Sequence, residues 1–410
     1  MARKSSLTHP AGRYLVISST PALADFCKRQ ARAGYVTIDT EFIRDKTFWP
    51  QLCLVQIAGP DEAAAVDSLA PGIELGPLLE LLTKPAVLKV FHAARQDIEI
   101  FFHLAGIIPQ PLFDTQVAAM VCGFGESAAY ETLVAKLTGE RIDKTSRFTD
   151  WARRPLSERQ LSYAIADVTL MRPIYERFCK RLESSGRAAW LEEEMAVISD
   201  PATYRLDPRT AWMRLKSKST DRRYLAVLRE LAAWREEEAM RRDLPRGRVL
   251  RDAALLEIAR QAPQSAAQLA RSRGLPRGYA ASRAGRAVLA VVRRGLAVPD
   301  ADRPQPPAKP QPSAADVPVI ELMKVLLKQK CEAHRVAQKL VASADDLMAL
   351  AADDGADVPA LHGWRYQVFG ADALALKQGR LGLALSGRKI ELIELAARDQ
   401  AEATTAHGRK

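Results

Sequence analysis

The fold of this chain is decided by the stretch YVTIDTEF at residues 35–42, where a short apolar run ends in two acids, Asp39 and Glu41. Val36 and Ile38 alternate with polar residues, which is typical of a strand with one face in a core. Asp39 and Glu41 are two residues apart and would share the other face of that strand. An ionised carboxylate beside buried residues is costly unless it is paired or binds a cation. The alternative is that both acids are ordinary polar residues at a strand end.

Three further candidate site residues lie downstream. Asp97 occurs in VFHAARQDI at residues 90–98, near the predicted start of a helix. Tyr163 and Asp167 are four residues apart in a helix predicted over 157–182, so they would share one helix face. Four converging carboxylates would form a site for hard cations, and two divalent metals held by carboxylates are a known means of cleaving phosphodiesters. The alternative for Asp167 is a surface position on its helix.

The order and context of these residues resemble one family. The motifs are DTEF at 39–42, HAARQDI at 92–98 and Tyr-x-x-x-Asp at 163–167, with further similarity at 48–57 and 150–157. Together they resemble ribonuclease D, in the tyrosine branch of the DEDD 3′→5′ exonuclease superfamily.

The resemblance implies a metal-dependent 3′→5′ exoribonuclease that trims 3′ trailing nucleotides of precursor tRNA and other structured RNAs and releases nucleoside 5′-monophosphates. On the matching positions, two Mg²⁺ or Mn²⁺ ions would be held by Asp39, Glu41, Asp97 and Asp167. Tyr163 would orient or help to deprotonate the attacking water, although a phenol with a reference pKa of about 10 is a poor base without help from the metal. Two alternatives stay open, a DNA 3′→5′ exonuclease with the same acids and a non-catalytic RNA-binding protein.

Candidate substrate contacts lie next to the acids. Phe42 directly follows Glu41 and is predicted to stack on a terminal base, because single-strand binding sites use aromatic platforms. Core packing is the alternative for this side chain. Gln96, beside Asp97, is a second candidate for contact with the substrate.

The positive charge of the chain is concentrated in one segment. Residues 201–297 carry 22 Lys and Arg against 9 Asp and Glu, whereas residues 1–200 carry 23 against 25 and residues 298–410 carry 15 against 15. The whole net charge of +11 therefore depends on about a hundred residues, which is typical of a surface that binds a phosphate backbone. A solvated helical surface is the alternative. The arginines predicted to bind RNA are Arg241, Arg242, Arg246 and Arg248.

Periodicity and composition divide the chain into four parts. Alternating strand-like and helix-like stretches predict an α/β exonuclease domain over 12–200, and the resemblance implies a ribonuclease H-like fold. Helical periodicity predicts two small all-α domains, a basic one over 215–297 and a second over 316–397. Both resemble the helicase-and-ribonuclease-D C-terminal (HRDC) domain. Between them, a proline-rich stretch predicts an extended linker over 298–315.

Composition limits the class of protein further. The five cysteines are scattered without a C-x-x-C pair, which argues against a disulfide framework and against a zinc site. No apolar stretch approaches the roughly 18 residues of a membrane span, and the first residues lack the apolar run of a signal peptide. We therefore expect a cytoplasmic enzyme that acts on RNA as a monomer, without a membrane or an obligate protein partner.

Overall fold

The computed structural model of the chain describes residues 6–9, 12–306 and 312–395. These residues form two compact units, each built from separate segments of the chain. The first unit contains the described residues of 1–112, 142–170 and 197–308, and the second contains those of 113–141, 171–196 and 309–410.

The described residues form nine strands and eighteen α-helices. The strands are β1 (Ser6–His9), β2 (Gly12–Ile17), β3 (Tyr35–Ile43), β4 (Gln51–Ala58), β5 (Ala63–Asp67), β6 (Leu88–Phe91), β7 (Leu112–Asp114), β8 (Leu381–Ser386) and β9 (Lys389–Glu394). The helices are α1 (Thr20–Gln30), α2 (Gly76–Thr83), α3 (Arg95–Ala105), α4 (Thr115–Val121), α5 (Tyr130–Thr138), α6 (Glu158–Thr169), α7 (Met171–Ser185), α8 (Ala188–Ile198), α9 (Arg222–Arg242), α10 (Arg246–Val249), α11 (Asp252–Gln261), α12 (Ala266–Leu269), α13 (Arg283–Ala297), α14 (Asp316–His334), α15 (Gln338–Val341), α16 (Ala344–Ala352), α17 (Gly363–Arg365) and α18 (Ala371–Lys377).

Strand β3 lies inside a seven-stranded mixed sheet with the order β1-β2-β5-β4-β3-β6-β7. Strands β3, β4 and β5 are antiparallel neighbours, while β2 runs parallel to β5 and β6 runs parallel to β3. Val36 and Ile38 are fully buried, as the alternation in β3 predicts. Strand β3, which carries the two acids, therefore has a neighbouring strand on each side.

Helix α6 packs on this sheet and carries the second half of the candidate site. Its first turn is a capping box, in which the Ser157 hydroxyl accepts the Gln160 N–H at 3.2 Å and the Gln160 side chain accepts the Ser157 N–H at 3.0 Å. Ala164 and Val168 are fully buried in a core that α6 shares with strand β4. The Thr37 hydroxyl on β3 donates to the Val168 carbonyl at 2.7 Å, which fixes the last turn of α6 to the strand.

The helix predicted over 157–182 is two helices, α6 and α7, with a break at Leu170. Pro173 lies in the first turn of α7, where its missing N–H costs little. In a continuous helix, the same proline would remove a hydrogen bond to the carbonyl of Thr169. The break therefore follows from the position of one proline.

The two C-terminal regions are mostly helical. In the first, Leu228, Leu255 and Val292 from α9, α11 and α13 are fully buried in one core. Of the predicted linker, residues 307–311 lie outside the described residues.

One correction applies to the second region, which was predicted as an all-α domain over 316–397. Strands β8 and β9 form an antiparallel hairpin there, closed by Gly387 and Arg388, with φ +63° at the glycine. A two-residue loop that begins with glycine matches the twist of a hairpin, so the sequence contained the signal. Residues 396 and 397 of the predicted domain lie outside the described residues.

Candidate active site

The structure brings Asp39, Glu41 and Asp167 together. One carboxylate oxygen from each residue lies within 4.8 Å of the other two. Asp39 and Glu41 come from one face of β3, and Asp167 comes from the last turn of α6, next to the hydrogen bond between Thr37 and Val168. The strand pair and the helix pair of the sequence therefore meet, as their spacing predicts.

Burial and neighbouring negative charge raise the pKa of two of the three carboxylates, Asp39 and Glu41. Burial, and then the charge of Asp167, hold the pKa of Asp39 well above its ordinary value, although the Thr40 N–H lowers it. Burial, and then the charges of neighbouring acids, raise the pKa of Glu41 to about 10. A divalent cation would relieve this repulsion, because an opposite charge favours the ionised form. An all-oxygen donor set fits Mg²⁺ or Mn²⁺.

Asp97 is buried in the first turn of α3, and its carboxylate is hydrogen-bonded by a residue of β3. The Thr40 hydroxyl donates a hydrogen bond to its carboxylate, and the charge of Asp97 is one of those that raise the pKa of Glu41. Asp97 lies outside the group of three carboxylates but within their electrostatic range. The sequence analysis missed Thr40, because a threonine in a strand carries no signal of the residue it will contact.

Tyr163 lies one helical turn before Asp167 and is hydrogen-bonded to it. Burial, followed by the charges of Asp167, Glu41 and Asp39, raises the pKa of the Tyr163 phenol above its ordinary value. The hydroxyl therefore stays protonated at neutral pH. It can donate or accept a hydrogen bond beside the acids, but the phenolate that could act as a base is formed even less than in a free tyrosine.

The two candidate substrate contacts beside the acids both reach solvent. Phe42 is half-buried and follows an irregularity in the pairing of β3 with β4, between Glu41 and Phe42. Such a bulge re-aims the side chains that follow it. Gln96 is exposed on the first turn of α3.

The four candidate arginines differ in what they contact. Arg241 and Arg242 are exposed on the last turn of α9 and pair with Glu238, at 2.8 and 3.6 Å. Arg246 donates to Glu236, whose side chain is 1% exposed, and its guanidinium lies 4.4 Å from the centre of the Phe48 ring. Arg248 is exposed. Arg246 thus has a structural environment that the other three lack.

Comparison with known proteins identifies the family. A family described as 3′-5′ exonuclease matches residues 14–183, and the HRDC domain family matches residues 224–292. The chain is 52% identical to the ribonuclease D of Granulibacter bethesdensis, over 96% of this chain and 99% of the relative. The chain belongs to the ribonuclease D family. The ribonuclease D of Acidiphilium cryptum is 50% identical over 93% of this chain and 97% of its own length.

A solved structure in the ribonuclease D family shares the fold. The crystal structure of Escherichia coli RNase D, described as an exoribonuclease involved in structured RNA processing, matches with a TM-score of 0.78 and 30% sequence identity. The match covers 89% of this chain and 99% of the E. coli chain.

These comparisons confirm an α/β exonuclease core followed by a mostly helical region. They also confirm the predicted enzyme class, a 3′→5′ exoribonuclease. Enzymes of this exonuclease family depend on divalent metal ions, which agrees with the three converging carboxylates. One HRDC domain is found, and the predicted second copy is not confirmed. In the described part of the chain, every helix is too short or too polar to cross a bilayer.

Proposed function

We propose that this exoribonuclease hydrolyses RNA at the site formed by Asp39, Glu41 and Asp167, and that it trims 3′ trailing nucleotides from precursor tRNA and other structured RNAs. The products would be nucleoside 5′-monophosphates. The observation that carries the proposal is the convergence of three carboxylates to within 4.8 Å inside the region that matches 3′-5′ exonucleases.

Two divalent ions, Mg²⁺ or Mn²⁺, are proposed for this site. Asp39, Glu41 and Asp167 would hold one of them, and Asp39 and Asp97 would face the second. When bound, the ions would lower the pKa of the attacking water and stabilise the leaving 3′ oxygen. Thr40 would keep the Asp97 carboxylate in one orientation through its hydrogen bond, as partners of metal ligands commonly do.

Tyr163 is proposed to orient the attacking water as a neutral hydroxyl. Asp167 fixes the phenol by a hydrogen bond, and the surrounding negative charge keeps its proton in place. The Tyr163 hydroxyl would therefore contribute position rather than proton abstraction.

Single substitutions test this site on a 3′-extended tRNA transcript. Asp39→Asn and Asp167→Asn should each lower the hydrolysis rate by orders of magnitude and leave RNA binding largely intact, because the rest of the surface is unchanged. Tyr163→Phe should slow hydrolysis less. Asp61→Asn, which changes an exposed acid, is the matched control. Hydrolysis that survives EDTA, or that begins at the 5′ end, would contradict the proposal.

The exposed arginines of the basic segment are proposed to bind RNA phosphates. Each neutralised phosphate contributes roughly −0.7 to −0.9 to the slope of log affinity against log salt. Charge reversal at Arg241, Arg242 and Arg248 should therefore flatten the slope by about two units. Arg246, included in the predicted set, is better tested by stability, because its loss would leave the carboxylate of Glu236 buried without this partner. An unchanged slope in the triple variant would identify a solvated surface.

Residues 316–397 are proposed to be a second HRDC-type copy, and the order of its elements supports this assignment. In each copy, a long helix (α9 or α14) ends in a left-handed residue, Asp243 or Arg335. A four-residue helix follows (α10 or α15), then a third helix (α11 or α16), and later a 3₁₀ turn leads into another helix (α13 or α17). Since residues 316–397 carry 10 Lys and Arg against 11 Asp and Glu, this copy has no excess of positive charge, and we assign it a packing role. Reversing charges on its surface should leave the salt slope of RNA binding unchanged.

We also propose that the enzyme works as a monomer in the cytoplasm. The five free cysteines support a reducing compartment. Light scattering on the purified protein would test the oligomeric state.

A further inference from the structure

A short loop, residues 143–149, precedes α6. The first residue of the loop is hydrogen-bonded to the first turn of that helix. The Asp143 carboxylate accepts hydrogen bonds from the Thr145 hydroxyl at 2.8 Å and from the Arg159 guanidinium at 2.9 Å. Hydrogen bonds from Thr145, and then from Arg159, lower the pKa of Asp143 to about 2. The carboxylate is therefore ionised at neutral pH, and its contact with Arg159 is an ion pair.

The same loop is tied at its other end. The Thr149 N–H and hydroxyl both donate to the Ser146 carbonyl, at 3.2 and 2.8 Å. The Gln160 side chain, which closes the capping box of α6, donates to the Thr149 hydroxyl at 3.1 Å. Because Ser146 is buried as well, the conformation of the loop is fixed by the helix that carries Tyr163 and Asp167.

This anchored loop presents two side chains outwards. The Phe148 side chain is 90% exposed, the most exposed of the large hydrophobic residues in the described part of the chain. The Arg147 guanidinium lies 5.2 Å from the centre of the Phe148 ring. The charge of Arg147 also lowers the pKa of Glu41, which places the arginine within electrostatic range of the acids. The loop thus presents a platform of one aromatic ring and one arginine, held against the first turn of α6 and with its arginine within electrostatic range of Glu41.

We propose that this platform, formed by Arg147 and Phe148, binds the single-stranded 3′ end of RNA. Phe148 would stack on one base, and Arg147 would bind a phosphate near that base. The inference rests on the proposed site for RNA hydrolysis, and it adds the residues that deliver the strand to it.

The chemistry of the two side chains favours a nucleic acid strand. A polyanion that approaches three carboxylates is repelled, and the positive charge of an arginine near them offsets that repulsion. Stacking on an aromatic ring accepts every base, because each has a π-face. An enzyme that removes successive nucleotides needs such tolerance. An aromatic residue held on an anchored loop also loses little conformational entropy when it binds.

Abasic substitution tests the stacking contact directly. Affinity is measured by fluorescence anisotropy with short oligoribonucleotides that lack the base at one position, scanned from the 3′ end. EDTA is present, so that this readout is independent of bound metal and of hydrolysis. Phe148→Ala should weaken binding of the intact oligonucleotide roughly 5- to 150-fold, as expected for one lost base stack. Phe148→Trp should restore most of the affinity, and Phe148→Leu should restore little.

The decisive result is a position-specific cancellation. The loss of affinity caused by Phe148→Ala should disappear on the oligonucleotide that lacks the stacked base and should persist on the others. In the same way, the penalty of Arg147→Gln should disappear when one phosphate is replaced by a neutral methylphosphonate. Leu385→Ala, at another exposed hydrophobic side chain, and Arg32→Gln, at another exposed arginine, are the matched controls and should keep wild-type affinity.

Two outcomes would overturn the inference. One is wild-type affinity in Phe148→Ala, and the other is a penalty that is the same on every abasic oligonucleotide. If Phe148→Ala instead abolished a self-association of the wild-type protein, the ring would be a protein contact and the inference would fail. The proposed function fails separately, if the wild-type protein does not hydrolyse RNA from the 3′ end in an EDTA-sensitive manner.

Discussion

Asp243 connects the first helical domain to the strand that carries the acids. It ends α9 in the left-handed conformation, with φ 47° and ψ 49°. Its carboxylate oxygen accepts the backbone N–H groups of Phe48 and Trp49, each at 3.0 Å. These two residues lie in the connection that follows β3. Substitution of Asp243 should therefore change both stability and the coupling of the helical domain to the site.

Three substitutions separate the contributions of this residue. Asp243→Ala removes two partly exposed hydrogen bonds, worth about 1–2 kcal/mol together, and replaces a residue type that tolerates the left-handed region by one that does not, at a cost of about 1 kcal/mol. We expect it to lower the free energy of unfolding by about 2–3 kcal/mol. Asp243→Gly removes the hydrogen bonds but tolerates the backbone, so about 1–2 kcal/mol is expected. Asp243→Asn keeps both an acceptor oxygen and a tolerance of the left-handed region, so its loss should stay under about 1 kcal/mol.

Urea unfolding followed by circular dichroism measures the loss of stability in each variant. The loss should be largest for the alanine variant and smallest for the asparagine variant. The matched control is Asp221→Ala at the other end of α9, where the carboxylate caps the helix by accepting the Arg223 N–H at 2.8 Å. It should lose about 1 kcal/mol of stability. Only the Asp243 variants should lower hydrolysis of 3′-extended tRNA relative to a short oligonucleotide. Equal stability of all three Asp243 variants and wild type, or an equal loss of tRNA preference in Asp221→Ala, would refute this reasoning.

Three further predictions concern single residues. Thr40→Val should slow hydrolysis about tenfold, on the scale of lost support for a metal ligand, and Thr40→Ser should restore it, because the hydroxyl holds Asp97. Burial lowers the pKa of Lys89 from 10.5 to about 8. Between these values the unfolded chain binds more protons than the folded one, so the stability of wild type relative to Lys89→Met should rise from pH 8 to pH 10.5 by up to about 3 kcal/mol in urea titrations. Gly123→Ala should lower the melting temperature, since the glycine has φ +79° and an added β-carbon would lie 2.6 Å from the Arg335 carbonyl oxygen; an unchanged melting temperature would show that the backbone relaxes at no cost.

Local periodicity predicted much of the α/β core, because its signals lie within a few residues of one another. The strand predicted from the alternation of Val36 and Ile38 is β3, and the helix predicted to start near Asp97 is α3. Convergence of Asp39 with Asp167 was also predictable, since a strand and a helix each place their acids on one face. A break at Leu170 was missed, although Pro173 provides its physical cause.

The contacts that support the site depend on residues far apart in the sequence, and no local pattern predicts them. Thr40 meets Asp97 across 57 positions, and Asp243 meets Phe48 across 195. The charge of the basic segment was visible in the sequence, but the ion pair that turns Arg246 towards a buried glutamate was not. Composition indicates the total charge of a segment, whereas the residue with which each charged side chain pairs depends on the fold.

In both helical regions, the turn that follows the long helix, called the corner below, contacts segments of the predicted exonuclease domain. In the first, the left-handed residue after α9 offers the carboxylate of Asp243 to the connection after β3. In the second, the left-handed residue after α14 offers the Arg335 carbonyl to the Arg187 guanidinium at 3.2 Å, and the Ala337 N–H donates to the Met120 carbonyl at 3.0 Å. The corner recurs although one contact uses a side chain and the other uses the backbone. Because the excess positive charge lies only in residues 201–297, docking is the property that the two regions share, and the proposed RNA binding applies to the first region alone.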